Sequence, residues 1–375
     1  MNANGSRNLY IGLISGTSAD GIDAVLADFS SAQADIIKAA TFDYPADIRA
    51  QLQPLLDQGR VASLAALGQL DSAIGDCFAE AARQVCELAG IELANISAIG
   101  SHGQTVAHAA DAKPAYSIQL GDPNRIAMQC QLPVIADFRR MDLAAGGHAA
   151  PLAPLLHEQL FRQHDQDIAV VNIGGIANIS LLPADPEQPV TGFDSGPGNC
   201  LLDNWYRAHR TGEFDRDGQW AASGKVSQAL LNDLLAEPWL QRPPPKSSGR
   251  EHFSVDWLQQ RHSALHKIKP EDVQATLLQF TARTIINALP DTNKTRELII
   301  CGGGAHNQTL LDAMDRLLPN GRISTTAEHG YAADHIEGLL FAWLARQRMQ
   351  CQPINTGSIT GASTPLLLGN VFRAR

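Results

Sequence analysis

The chain has no cysteine pairs, no basic excess and no long apolar runs, and each shortage excludes a class of protein. Its six cysteines, Cys77, Cys86, Cys130, Cys200, Cys301 and Cys351, form no C-x-x-C pair. In a chain of 375 residues they read as reduced core thiols rather than a disulfide framework. Lysine and arginine number 29 against 39 acidic residues, a formal charge of −10, which excludes a sequence-independent grip on nucleic acid. It does not exclude an anionic ligand, because a few backbone N–H groups can hold a phosphate. No stretch reaches the ~18 consecutive apolar residues of a membrane span. The early apolar run, 9–14, breaks at Ser15-Gly16, too short for a secretory leader, so a cytoplasmic protein without membrane contact is expected. A P-loop is missing, since Gly224-Lys225 lacks the first glycine at Gln219 and has Val226 for Ser or Thr. The dinucleotide fingerprint fails at Asn307, where its third glycine is required. His102 and His108 have no third ligand at zinc spacing.

What is present is a chain with 44% hydrophobic and 18% charged residues, enough apolar material for a core, at a length that fits two domains or three. Glycines mark two similar units. Residues 9–14 read as a buried strand, followed by the turn Ser15-Gly16-Thr17-Ser18-Ala19-Asp20-Gly21 and a second strand over 22–29. Residues 168–173 and 176–182 repeat the pattern about Gly174-Gly175. Each hairpin precedes a helical periodicity, over 64–88 and 273–289. Each periodicity leads to an apolar strand ending in glycines, Ala98-Ile99-Gly100-Ser101-His102-Gly103-Gln104 and Leu298-Ile299-Ile300-Cys301-Gly302-Gly303-Gly304. The reading is a duplicated α/β architecture of two related domains facing one another. The second half is longer around 211–253, where Pro243-Pro244-Pro245 and Ser247-Ser248-Gly249 read as a surface insertion, either a flap or a plain long connection, outside the core.

Four places could carry chemistry. The first turn, with Gly16, Thr17, Ser18 and Gly21, can present backbone N–H groups and hydroxyls to a phosphate, and Asp20 and Asp23 beside it suit a magnesium ion held directly or through water. A solvated hairpin turn accounts for those residues equally well. Asp194, in Phe193-Asp194-Ser195-Gly196-Pro197-Gly198-Asn199, is expected at an exposed strand-to-helix turn. Asn199 is the better cap there, leaving Asp194 for catalysis and the helix start for an anion. The run Gly302-Gly303-Gly304 excludes bulk and suits a base or ribose lying against backbone. Asp137-Phe138-Arg139-Arg140 offers guanidinium groups to a carboxylate or to a surface salt bridge. Two phosphate-type turns, a glycine-rich strand end and one aspartate point together to ATP-dependent phosphoryl transfer with Mg²⁺.

These motifs resemble those of the anhydro-N-acetylmuramic acid kinases, bacterial enzymes of peptidoglycan recycling with an actin-like ATPase fold. The likeness rests on Gly12-Leu13-Ile14-Ser15-Gly16-Thr17-Ser18-Ala19-Asp20-Gly21-Ile22-Asp23, Ser101-His102-Gly103-Gln104-Thr105 and Ala136-Asp137-Phe138-Arg139. It continues through Asn172-Ile173-Gly174-Gly175-Ile176-Ala177-Asn178, Asp194-Ser195-Gly196-Pro197-Gly198-Asn199 and Cys301-Gly302-Gly303-Gly304-Ala305-His306-Asn307. One departure stands out: where the family commonly reads G-G-Q-G-A-P-L, this chain has Gly146-Gly147-His148-Ala149-Ala150-Pro151-Leu152.

The resemblance implies two actin-like (ribonuclease H-like) domains around a central cleft, here 1–145 plus 341–375 and 146–340. It implies ATP held by Gly16 to Asp23, including Ala19 and Ile22, by Gly174 and Gly175, and by Gly302 to Gly304. Asp194 would be the general base, Glu337 would help hold the attacking water, and Gln104 and Arg139 would contact the sugar. The implied reaction opens the 1,6-anhydro ring and phosphorylates O6, in a homodimer. A kinase for another hexose or amino sugar, or a slow regulatory ATPase, would share the same phosphate turns.

Overall fold

The computed structural model describes residues 8–16, 19, 21–31, 33–244, 246–248 and 252–375. The chain divides into two compact units, 1–156 with 335–375, and 157–334. The first unit opens with β1 (Leu9–Ser15), β2 (Ile22–Asp28) and β3 (Asp35–Phe42), then α1 (Ala46–Gln58) and α2 (Leu64–Ala89). It continues through β4 (Ala98–Ala109), β5 (Tyr116–Leu120), α3 (Pro123–Cys130), β6 (Val134–Ala136) and α4 (Arg140–Ala144), and the boundary falls within α5 (Ala153–Phe161). The second unit holds β7 (Asp167–Ile173), β8 (Ile176–Leu182), β9 (Thr191–Pro197), α6 (Cys200–His209), α7 (Gln219–Ser223) and α8 (Gln228–Leu235). After them come α9 (Val255–Arg261), α10 (Pro270–Asn287), β10 (Thr295–Cys301), α11 (Gln308–Asp315) and β11 (Arg322–Thr325). The chain then returns to the first unit with α12 (Ile336–Met349), α13 (Gly357–Thr360) and β12 (Asn370–Phe372).

Among the described residues, the first sheet runs β12-β6-β4-β1-β2-β3 with β5 beside β4, and the second runs β11-β10-β7-β8-β9. The two share one plan. In each, the first strand pairs antiparallel with the second and the second with the third. The first also pairs parallel with the fourth, β4 or β10, which in turn pairs parallel with β6 or β11. A three-stranded antiparallel meander joined to parallel strands, built twice, is the ribonuclease H-like architecture of the actin-type ATPases.

Helix α2 shows how the sequence produces these layers. Ser63 caps it by accepting the amide of Ala66, and Gly90 ends it in the left-handed region at φ 66°. Between them Leu70, Ile74, Phe78, Ala81 and Val85 fall on one buried face and join Ile11, Leu13 and Leu26 of the sheet in one apolar cluster. The other face of the sheet takes α12 at backbone contact. A Cβ on Gly12 would lie 1.9 Å from the Gly338 carbonyl oxygen, and one on Gly100 2.0 Å from that of Phe341.

Three expectations are corrected. The boundaries fall at 156/157 and 334/335, not at 145/146 and 340/341. Asp142 fastens Ala149 to Thr356 and Thr360, keeping residues 142–149 with the C-terminal segment, and α12 belongs whole to the unit whose sheet it covers. The 211–253 stretch is not a surface insertion: Trp220, Leu230, Leu231, Leu234, Trp239 and Phe253 are buried in the core of the second unit. Its prolines and serines masked leucines spaced for a helix. Finally, β4 does not end at its glycines but runs on to Ala109, because Gly100 and Gly103 answer close neighbours rather than a turn.

Candidate functional site

In the second unit the residues Cys301, Asn172, Asn178 and Asp194 are successive partners in register across β10, β7, β8 and β9. Registered partners project to the same face, so the row brings two asparagines and an aspartate together. Asp194 lies inside β9 and is 6% exposed, which corrects the expectation of an exposed turn. Its burial comes from residues far away in sequence. The Asp194 amide donates to the Lys246 carbonyl at 3.0 Å, and the Ser248 amide donates to Asp194 Oδ2 at 2.7 Å. The Asn178 side-chain amide donates to Asp194 Oδ1. Burial pushes the carboxyl pKa up to about 6, against the opposing pull of the Ser248 amide, the Asn178 amide and the Lys246 charge. The Lys246 ammonium donates to the Leu240 carbonyl at 2.8 Å and stands 4.7 Å from the centre of the Trp239 ring.

The glycine runs of this unit close on one another. Amides of Gly198, Asn199 and Cys200 donate to carbonyls of Gly174 and Gly175, and Asn199 Nδ2 donates to the Ile173 carbonyl at 3.1 Å. Asn199 thus holds the cap position of α6 without capping it. These three amides are engaged by the hairpin. Gly302, at φ 71°, packs where a Cβ would sit 2.2 Å from Asn172 Oδ1, and a Cβ on Gly304 would sit 2.4 Å from Ile173 Cγ2. Gly303 faces more room, its nearest neighbour being Asn199 Nδ2 at 3.6 Å. The strand end therefore presents bare backbone beside Asn199 and the hairpin.

In the first unit Thr17, Ser18 and Asp20 lie outside the described residues. Around them, Ala19 adopts φ 52° and its amide closes a turn onto the Gly16 carbonyl at 3.0 Å. Ile22 is buried at the start of β2, and a Cβ on Gly21 would lie 2.8 Å from Thr41 Cγ2. Gln104, fully buried, donates from Nε2 to the Gly16 carbonyl at 3.0 Å. Gln104 Oε1 and Ser101 Oγ are buried with no hydrogen-bond partner among the described residues. Buried acceptors of this kind call for a ligand or a water. Asp23 Oδ1 accepts the Thr41 hydroxyl at 2.6 Å. No group of three or more His, Cys, Asp or Glu side chains able to hold a metal occurs among the described residues. Magnesium that arrives with a nucleotide needs only one or two carboxylate oxygens besides phosphates and waters, and Asp23 is a hard oxygen donor of that kind.

The first unit also places Arg139. Its Nε donates to His102 Nε2 at 2.9 Å and its Nη1 to the Ala149 carbonyl at 2.5 Å. Burial lowers its pKa to about 10, while the charges of Glu337 and Asp142 push it back up. Arg140 instead pairs with Asp137 at 2.7 Å on the surface. Glu337 sits in the first turn of α12. Ala149, fully buried, is held at φ 58°, its amide on Asp142 Oδ1 at 2.7 Å. The departure from the family's glycine therefore falls on a left-handed residue.

Sequence reasoning passed over Asn178, Lys246, Ser248 and His102 as functional neighbours. Asn178 was findable, since it and Asn172 flank the Gly174-Gly175 turn at mirror positions. Lys246 and Ser248 carried no signal, being some fifty residues from Asp194.

A family model for anhydro-N-acetylmuramic acid kinase matches residues 8–374. An anhydro-N-acetylmuramic acid kinase of Xanthomonas campestris pv. campestris (strain 8004) is 45% identical over 370 residues, covering 98% of this chain and 97% of that protein. One from Coxiella burnetii (strain Dugway 5J108-111) is 43% identical over 367 residues, covering 98% of each. Among solved structures, component A of the (R)-2-hydroxyglutaryl-CoA dehydratase of Acidaminococcus fermentans is similar with a TM-score of 0.47 and 11% identity, covering 89% of this chain and 96% of that one. With the motifs, the doubled sheet plan and a match across nearly its whole length in agreement, the chain belongs to the anhydro-N-acetylmuramic acid kinase family.

Proposed function

We propose that this chain uses ATP to convert 1,6-anhydro-N-acetylmuramic acid to N-acetylmuramic acid 6-phosphate, opening the anhydro ring with water in the same reaction, with Asp194 as general base. The observation that carries the reading is Asp194 itself. It is a carboxylate enclosed by two neutral donors, with a pKa raised to about 6, so it is ionised at neutral pH yet more basic than a surface aspartate.

Asp194 takes a proton from a water that attacks C1, the C1–O6 bond breaks, and O6 attacks the γ-phosphorus as the bond to the ADP oxygen breaks. The Asn178 amide and the Ser248 amide orient the carboxylate for that transfer. Glu337 helps to hold the water. Arg139 and Gln104, whose Oε1 has no partner among the described residues, contact the sugar. The turn from Gly16 to Asp23 and the backbone at Gly174, Gly175 and Gly302 to Gly304 hold the nucleotide. Asp23, together with Asp20, would hold Mg²⁺, which when bound neutralises phosphate charge. The family likeness further suggests a homodimer, and sedimentation of the purified protein tests that.

The deciding experiment supplies ATP with the anhydro sugar in ¹⁸O-water. A product heavier by one phosphate and one water, with the label at C1, is expected. ADP release with the ring-opened sugar and none with the anhydro sugar would replace this reading with that of an ordinary amino-sugar kinase.

A further inference from the structure

We propose that His102 is a positioning residue for Arg139, fixing the guanidinium that meets the sugar; the inference rests on the reading of Arg139 given above. His102 is 6% exposed on β4. Its Nε2 lies 2.9 Å from Arg139 Nε and its Nδ1 3.1 Å from the Gly103 carbonyl oxygen. A guanidinium nitrogen can only donate, so Nε2 is the bare, accepting nitrogen of the ring. The proton is then on Nδ1, which donates to Gly103. One geometry thus fixes the tautomer and a neutral ring. Burial and the Arg139 charge, which hold the imidazole well below its usual pKa, favour the same state.

The ring is itself held. It stacks on Phe341 with centroids 4.5 Å apart and planes at 28°. Phe341 lies four residues after Glu337 on α12, so the two share a helix face. Gly103, at φ 75°, has its Cβ position only 2.4 Å from the Leu120 carbonyl oxygen, which fixes the peptide that accepts from Nδ1. On its far side Arg139 donates to the Ala149 carbonyl, and the Ala149 amide donates to Asp142, whose other oxygen accepts from Thr356 and Thr360. Among the described residues the arginine is therefore fastened at Nε and at one Nη1 hydrogen, within the field of Glu337 and Asp142, and the rest of its fork makes no hydrogen bond to them. Fixing a long, rotamer-rich side chain before binding removes an ordering cost that the substrate would otherwise meet.

Two substitutions separate this role from simple packing. Glutamine reaches as far as Nε2 and keeps an acceptor for Arg139, whereas asparagine reaches only as far as Nδ1 and keeps the contact to Gly103. His102→Gln is expected to leave KM for the anhydro sugar within about threefold of the parent, while His102→Asn raises it about tenfold, the size of one hydrogen bond to a charged group. KM for ATP should stay within about twofold in both. Equal sugar KM values in the two variants, or a rise in the KM for ATP matching that for the sugar, would overturn the proposal. If one variant does not accumulate as folded protein, the ¹⁵N signal of Arg139 Nε–H decides with the other. It should stay sharp and slow to exchange in His102→Gln or become fast in His102→Asn, and the opposite behaviour rejects the role. Arg139→Lys, run alongside, tests the underlying reading. An unchanged sugar KM there removes Arg139 as a contact, while a raised one with no difference between the His102 variants removes only His102.

Discussion

Asn178 and Asp194 stand opposite one another in the register of β8 and β9, and the side-chain amide of the first donates to the carboxylate of the second. That bond favours the ionised form of Asp194. Removing it in Asn178→Leu should raise the aspartate's pKa by up to about one unit, the equivalent of one ordinary hydrogen bond. The pH dependence of kcat/KM for the anhydro sugar reads this as an acid limb displaced upward, with activity at high pH retained.

The parent enzyme should show its own acid limb near the Asp194 pKa of about 6. A base works only when ionised, so kcat/KM is level above that pH and falls about tenfold per unit below it. An acid limb near 4 would mean that the base is a solvated carboxylate and not this one. Asp194→Asn should nearly abolish turnover while calorimetry finds ATP binding close to the parent's. Equal loss of both would assign Asp194 to structure instead.

Gly303 and Gly304 make opposite predictions from adjacent positions. An added Cβ meets nothing closer than 3.6 Å at Gly303, but lies 2.4 Å from Ile173 Cγ2 at Gly304. Gly303→Ala should melt like the parent and raise KM for ATP several-fold. Gly304→Ala should cost about 1–3 kcal/mol of stability through overpacking. Thermal melts paired with ATP saturation curves check both.

Ala149 holds φ 58° in a fully buried loop, a conformation that glycine adopts freely. Ala149→Gly should therefore stabilise the protein by up to about 1 kcal/mol, the relief of about 1–2 kcal/mol of left-handed strain being partly offset by the larger entropy that glycine loses on folding. An upward shift of the urea midpoint with an unchanged slope would establish it.

Much of the fold was legible in the sequence because glycine turns and periodic apolar runs are local signals. The paired hairpins at 9–29 and 168–182 and the helices over 64–88 and 273–289 stand where their spacing puts them. Asp194 was found as a residue but misjudged in its surroundings. Its neighbours Gly192, Gly196 and Gly198 read as a turn, whereas strand pairing to β8 and a cover from residues 246–248 make the segment extended and buried. Pairing across fifty residues leaves no periodic trace. The core role of 211–253 was hidden for a different reason, since prolines and serines outweighed Trp220, Leu230, Leu231 and Leu234 in composition. His102 was weighed as a metal ligand, and its value as an acceptor for Arg139 depended on where β4 meets the residues after β6.

The fastening of Asp142 to Thr356 and Thr360 spans more than two hundred positions of chain, and it sets an order of events at the ribosome. Residues 157–334 are contiguous and can close their core as soon as they emerge. The first unit, though synthesised earlier, must wait with one face of its sheet uncovered until α12 and the Thr356–Thr360 turn are released. For that interval the glycines at 12 and 100 line an open furrow, and a stop just after residue 334 would leave the newer half of the protein whole and strand the older one.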